Sequence, residues 1–146
     1  MSATNAFETN LLKLIFQNVA LANVGDASGL QPSSTAGSLY ISLHTGDPGE
    51  TGDQTTSEAN YTGYSRVAVE RSASGWTVSG NNASNAAKVT FGACTAGSST
   101  VTHFGIGTAD TGNGNLLFSG QLTAQLAVSA GITPSFAIGE LDVTAD

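Results

Sequence analysis

Short runs of alternating apolar and polar residues, separated by turns rich in glycine and asparagine, make up most of the chain after residue 37. In the run Leu39–His44, the apolar residues Leu39, Ile41 and Leu43 occupy every second position. This period of two is the pattern of a half-buried β-strand. The other predicted strands are Tyr64–Arg71, Trp76–Val78, Val89–Phe91, Val101–Ile106, Leu116–Phe118, Leu122–Val128 and Phe136–Val143.

Glycine- and asparagine-rich turns between the runs, such as Asp110–Gly114, favour antiparallel strands over alternating strands and helices. No repeat of fixed period is visible, which argues against a solenoid or a fibrous shaft. The 146 residues suffice for one domain with its own core. We therefore predict a mainly-β fold, an antiparallel β-sandwich or jelly-roll-like domain of about eight strands preceded by one N-terminal α-helix.

The N-terminal segment has a different pattern. Asn5 and Glu8 form a variant of the capping box, and the apolar residues that follow recur at helical spacing. Gly25 is the predicted end of this helix, and no periodic pattern follows it up to Gly37. The predicted organisation is a helix arm over residues 1–24, a linker over residues 25–37 and the β-sandwich domain over residues 38–146.

The predicted helix carries more apolar surface than one contact face requires. This surface either packs on the protein's own sandwich or meets a neighbouring subunit. The candidate interface residues are Phe7, Leu11, Leu12, Ile15, Phe16 and Val19.

The charge balance argues against direct binding to nucleic acid. The net charge is −7, and the four cations are Lys13, Arg66, Arg71 and Lys88. Neutralising phosphates requires clustered cations, and an anionic membrane surface is disfavoured for the same reason. No run approaches the roughly 20 apolar residues of a membrane span, and the N-terminus lacks the pattern of a signal peptide. We expect a protein that is made and used without secretion.

Few residues have the properties that catalysis requires. His44 lies near Asp47 and can in principle belong to a triad, but no nucleophile motif accompanies it, so a surface or hydrogen-bonded core histidine is favoured for His44 and His103. Cys94 is predicted to be a small buried apolar side chain. We predict no catalytic residue and no cofactor.

The segment from Asp47 to Glu58 is acidic, and carboxylates of its Asp47, Glu50 and Asp53 can in principle bind Ca²⁺. Their spacing does not match an EF-hand loop, so we favour a solvated acidic loop and predict no metal site. The aromatic residues can stack on sugars, although filling of the core is the favoured role. These residues are Tyr40, Tyr61, Tyr64 and Trp76.

Several segments, taken in order, resemble a family of small structural proteins of tailed-bacteriophage virions, which are usually labelled tail fibre or head decoration proteins. Together they cover most of the chain. The segments are Phe7–Leu12, Leu39–Thr45 running into Asp47–Gly49, Tyr61–Val69, Val101–Ile106, Asn115–Gly120 and Leu141–Thr144.

The resemblance implies a non-enzymatic virion protein. Of the two labels, we favour a capsid decoration (cement) protein that binds the outer surface of the major capsid shell and stabilises it by mass action. The expected partners are the major capsid protein and copies of the chain itself, with a homotrimer favoured over a dimer. The expected location is the capsid exterior, after synthesis in the host cytoplasm. The alternative is a tail fibre or tail-tip module that binds a receptor.

Overall fold

The computed structural model describes residues 1–145, and within this range it contains one α-helix and nine β-strands. The prediction of a mainly-β fold with one N-terminal helix is therefore confirmed. The elements are α1 (Asn5–Gln17), β1 (Ser38–His44), β2 (Val67–Glu70), β3 (Trp76–Ser79), β4 (Asn82–Asn85), β5 (Val89–Thr90), β6 (Ser98–Gly107), β7 (Leu116–Ser129), β8 (Ser135–Phe136) and β9 (Asp142–Thr144). The strands form sheets in the orders β2-β1-β6-β7, β3-β4-β9 and β5-β8.

Both ends of α1 differ from the sequence-based expectation. The N-cap is Thr4 rather than Asn5, and its hydroxyl oxygen accepts a hydrogen bond from the N–H of Phe7. The helix ends at Gln17, well before Gly25, because Asn18 adopts the left-handed conformation with φ 55°. Asparagine reaches this conformation more easily than most residues and can therefore end a helix as glycine does. No helix within residues 1–145 is long and apolar enough to cross a membrane.

The chain forms two compact units. Unit 1 contains residues 1–38, 69–89 and the chain from Phe136 onward, and unit 2 contains Leu39–Ala68 and Thr90–Ser135. The two units group residues that lie close together in space. The predicted helix arm, linker and sandwich domain are instead parts of the chain expected to be organised separately, and this division stays a prediction.

In unit 1, α1 packs on the sheet β3-β4-β9. The ring of Phe16 lies 4.7 Å from that of Trp76, and both side chains are fully buried. Arg71 holds the last turn of the helix, since its Nη2 and Nε donate to the carbonyl oxygens of Leu14 and Ile15, both at 2.6 Å. These carbonyls lack partners within the helix, so the guanidinium satisfies them and complements the negative end of the helix dipole.

In unit 2, β1 is an inner strand of its sheet and is buried on both faces from Ile41 to His44. It pairs antiparallel with β6, with His44 opposite His103, and β6 pairs antiparallel with β7. The alternation in β1 therefore predicted the strand correctly, but the face that carries Ser42 and His44 is covered as well.

Two other strand predictions were wrong in detail, and one strand was not predicted. Leu116–Ser129 is one strand rather than two, because β7 accommodates a bulge without leaving β6. The segment predicted as Phe136–Val143 is divided into β8 and β9 by a turn at Gly139, where φ is 78°. The strand that was not predicted is β4, in which Ala83 and Asn85 are buried.

Candidate functional site

A serine and a histidine lie in hydrogen-bond contact on β1. His44 Nε2 is 2.8 Å from the hydroxyl of Ser42, and His44 Nδ1 is 2.8 Å from the carbonyl oxygen of Thr56. Because a carbonyl only accepts, Nδ1 carries the proton and Nε2 accepts from Ser42. This arrangement resembles the nucleophile and base of a hydrolase, with Thr56 rather than Asp47 as the third member.

Burial prevents this pair from meeting a substrate. Ser42 and His44 are both 0% exposed, and Ser42 lies opposite Gly105 in β6. A Cβ at Gly105 would come within 2.6 Å of the Ser42 hydroxyl and 2.7 Å of His44 Nε2, so only glycine leaves room for the pair. The prediction of a hydrogen-bonded core histidine is confirmed for His44.

The burial of His44 predicts acid sensitivity. Desolvation lowers the pKa of His44, so the folded chain resists a proton that the unfolded chain takes up near pH 6.5. The unfolding free energy should fall as the pH drops below about 6.5, by at most about 1.4 kcal/mol per pH unit. Urea denaturation between about pH 7.5 and 5.5 measures this slope. His44→Gln should flatten it, whereas His103→Gln should keep it because His44 is still present. An unchanged slope in His44→Gln would refute the assignment.

A charged cluster joins the end of the acidic loop to the turn between β6 and β7. Arg66 Nε and Nη2 donate to the two carboxylate oxygens of Glu58 at 2.7 and 2.8 Å, a bidentate ion pair. The same guanidinium donates to the carbonyl oxygens of Ala109 at 2.9 Å and Gly112 at 2.7 Å. Tyr64 donates its hydroxyl to Glu58 at 2.8 Å.

This cluster is largely shielded from water, since the side chains of Arg66 and Glu58 are 3% and 17% exposed. The hydrogen bonds to Glu58 raise the pKa of Arg66, and burial raises the pKa of the Tyr64 hydroxyl. Arg66 therefore stays charged and Tyr64 stays neutral over the ordinary pH range. The sequence patterns gave no sign of the pair, because Glu58 lies in the acidic loop, which has no periodicity, and the alternation around Arg66 does not identify a partner.

A pocket of about 260 Å³ lies beside this cluster. Its charged walls are mostly engaged already, because Glu58 and Arg66 hydrogen-bond to each other and to neighbouring groups. The pocket is therefore a polar depression in the protein surface beside an ion pair. It is lined by Glu58, Tyr64, Ser65, Arg66, Asp110, Thr111 and Gly112.

In the acidic loop, the carboxylate of Asp53 accepts hydrogen bonds from the protein itself. Asp53 accepts from the N–H and hydroxyl of Thr55 and from the side-chain amide of Asn113, and the bonds from Thr55 lower the pKa of Asp53. Gln54 is fully buried and accepts from the N–H of Ala109 at 2.9 Å, so the loop is anchored rather than wholly solvated. Within residues 1–145, no three His, Cys, Asp or Glu side chains come together to hold a metal ion.

Two of the four aromatic residues considered for sugar stacking, and the cysteine, lie in the interior, whereas Tyr40 and Tyr64 are half-buried. Trp76 is 0% exposed and Tyr61 is 3% exposed, which confirms the core-filling interpretation for both. Tyr64 packs edge-on against Tyr61 at 5.5 Å. Cys94 is buried as predicted, and its thiol donates to the carbonyl oxygen of Ala96 at 3.4 Å.

Five of the six candidate interface residues lie on α1, and Val19 follows the end of the helix. Leu12 and Phe16 are buried inside unit 1. Phe7 and Val19 are 44% and 46% exposed, and Leu11 and Ile15 are half-buried. A role of the helix in contacts with another subunit stays a prediction.

Comparison with known families shows which family the chain is similar to. A family model described as "Podophage GP4 fiber I protein gp80" matches residues 2–144. No curated protein matches the chain.

Proposed function

The chain belongs to the family of the podophage GP4 fiber I protein gp80 and is a structural protein of a phage virion, and we propose that it serves as a non-enzymatic component of a fibre on the particle. The observation that carries this proposal is the extent of the match, which runs over residues 2–144 and so includes both units. A fibre component acts by presenting folded surface to its neighbours, and it needs no reaction centre.

The polar interior supports a role of this kind. Two pairs of largely buried polar side chains in unit 2 hydrogen-bond to each other, Ser42–His44 and Glu58–Arg66. Buried polar side chains that satisfy one another in this way add rigidity to a core. The hydroxyl and imidazole that resemble a hydrolase pair are both 0% exposed. The chemistry of these residues therefore fits a rigid building block better than an enzyme.

The second candidate is a capsid decoration (cement) protein on the outer surface of the shell. The observation that favours it is the absence of any fixed-period repeat in a chain of 146 residues, since a fibre shaft is commonly built from repeats. In this role the partners are the major capsid protein and further copies of the chain, as a trimer or a dimer at a symmetry axis.

Copy number on the purified virion separates the two roles. Quantitative mass spectrometry should give a ratio of this chain to the major capsid protein. A fibre predicts a ratio far below one, and labelling with an antibody should mark the tail or its attachment point. A ratio approaching one, with label over the whole head, would overturn the fibre proposal in favour of decoration. Absence of the chain from purified particles would refute both roles.

A further inference from the structure

The strand β7 forms one edge of the sheet in unit 2. The strand order β2-β1-β6-β7 gives it a single neighbour, β6. The pairing with β6 is regular from Phe118 to Gln121 and again from Leu126 to Ser129. Between these parts a bulge places residues 122–125 opposite Thr102. An edge strand presents main-chain N–H and C=O groups that another strand can pair with.

The β7 edge lacks the features that normally prevent such pairing. Protective edges carry charged side chains, especially lysine, or proline. From Thr111 to Gly139 the chain contains no Asp, Glu, Lys, Arg or His, and β7 contains no proline. Two register shifts, a bulge over residues 122–125 and a smaller one at Leu117, are the protective features of this type, and they leave the pairing of Phe118–Gln121 regular. Leu117, at the smaller shift, is 42% exposed.

The charge distribution indicates which partner fits this edge. The chain has a net charge of −7, so two copies repel each other when their charged surfaces meet. Charged residues are absent from β6 and β7, where His103 is the single titratable side chain. A second copy can therefore approach along this edge without bringing like charges together. Two antiparallel copies of the same strand are also self-complementary across a two-fold axis.

We propose that the edge of β7, over residues 116–121, is a self-association surface at which a second copy of the chain adds its own β7 and extends the sheet. This pairing is β-augmentation, in which main-chain hydrogen bonds join the two chains and the alternate side chains set the register. The inference rests on the proposed function, in which the chain acts by presenting folded surface to its neighbours on the particle, and it names a second copy as one such neighbour.

Two added lysines on this edge test the proposal. Ser119 and Gln121 are exposed positions two residues apart on β7, so Ser119→Lys/Gln121→Lys brings like charges together in the paired state. Thr77→Lys/Ser79→Lys is the matched control, with exposed positions at the same spacing on the edge strand β3. Both variants change the net charge of −7 by two, to −5. Analytical ultracentrifugation of the full chain should show association of the wild type and the control. The β7 variant should associate at least about tenfold more weakly than the wild type.

Hydrogen exchange of the wild-type chain gives an independent reading that needs no variant. Protection of the amides in residues 116–121 should rise with protein concentration, and no other segment should respond as strongly. A wild type that stays monomeric at high concentration would overturn the proposal. Equal loss of association in both lysine variants, or concentration-dependent protection elsewhere, would also overturn it. These measurements use the purified chain, so they leave the copy-number test of the virion role unaffected.

Discussion

Replacing Asn85 by aspartate should lower the unfolding free energy by about 3–5 kcal/mol. Asn85 is 1% exposed, and its Nδ2 donates to the carbonyl oxygens of Ala87 and Ala137, both at 2.8 Å. Its Oδ1 accepts from the N–H of Leu141 at 2.9 Å. Aspartate has no N–H groups to donate, so two carbonyl oxygens would lose their donor and face a buried carboxylate oxygen.

The sole tryptophan provides the signal for this measurement. Trp76 lies opposite Asn85 in the pairing of β3 with β4 and is fully buried, so its fluorescence reports on unit 1 during urea denaturation. Asn10→Asp is the matched control, because Asn10 is exposed on α1 and the chemical change is the same. If Asn85→Asp loses no more stability than this control, the three hydrogen bonds do not have the structural role assigned to them.

The second large effect is expected at Arg66. Arg66→Met removes the partner of a largely buried carboxylate and four hydrogen bonds, two to Glu58 and two to carbonyl oxygens of the turn 109–112. We expect a loss of about 3 kcal/mol, since an unpaired buried charge costs more than the pair contributes. Hydrogen exchange of residues 109–112 and urea denaturation should both register the change.

Two further variants separate the effect of the Glu58–Arg66 ion pair from the effect of net charge. Lys88→Met makes the same change in net charge at an exposed position and should leave stability nearly unaltered. The double variant Glu58→Gln/Arg66→Met should be more stable than the sum of the two single losses predicts, because no charge is left unpaired. Additive losses would mean that Glu58 and Arg66 do not act as a pair.

The parts of the fold that follow from periodicity could be predicted from the sequence. The alternation of Leu39, Ile41 and Leu43 identified β1, and the apolar spacing of residues 7–16 identified the helix. The end of the helix could not be located, because Asn18 signals a left-handed cap less strongly than Gly25 does. The strand β4 was missed for a similar reason, since Asn82 and Asn85 are residues typical of turns.

The polar clusters could not be predicted, because in each of them a residue of a predicted strand meets a partner from the acidic loop, which has no periodicity. His44 was identified as a candidate from its chemistry, but its partner Thr56 lies in the acidic loop and contributes only a main-chain carbonyl, which every residue carries. Glu58 was predicted at the end of the acidic loop and Arg66 on the strand Tyr64–Arg71, with nothing to connect them. Their meeting depends on the turn after β6, which supplies the carbonyl oxygens of Ala109 and Gly112.

Unit 1 is built from segments that lie far apart in the sequence. Its helix needs Arg71 for its last turn, and its sheet needs β9, whose Val143 pairs with Ala83 of β4. Contacts between residues so far apart in sequence form slowly and require the intervening chain. On the ribosome, the sheet against which the N-terminal helix packs therefore lacks its third strand until residues 142–144 have been synthesised. Premature termination before residue 141 would leave an unfinished, aggregation-prone product.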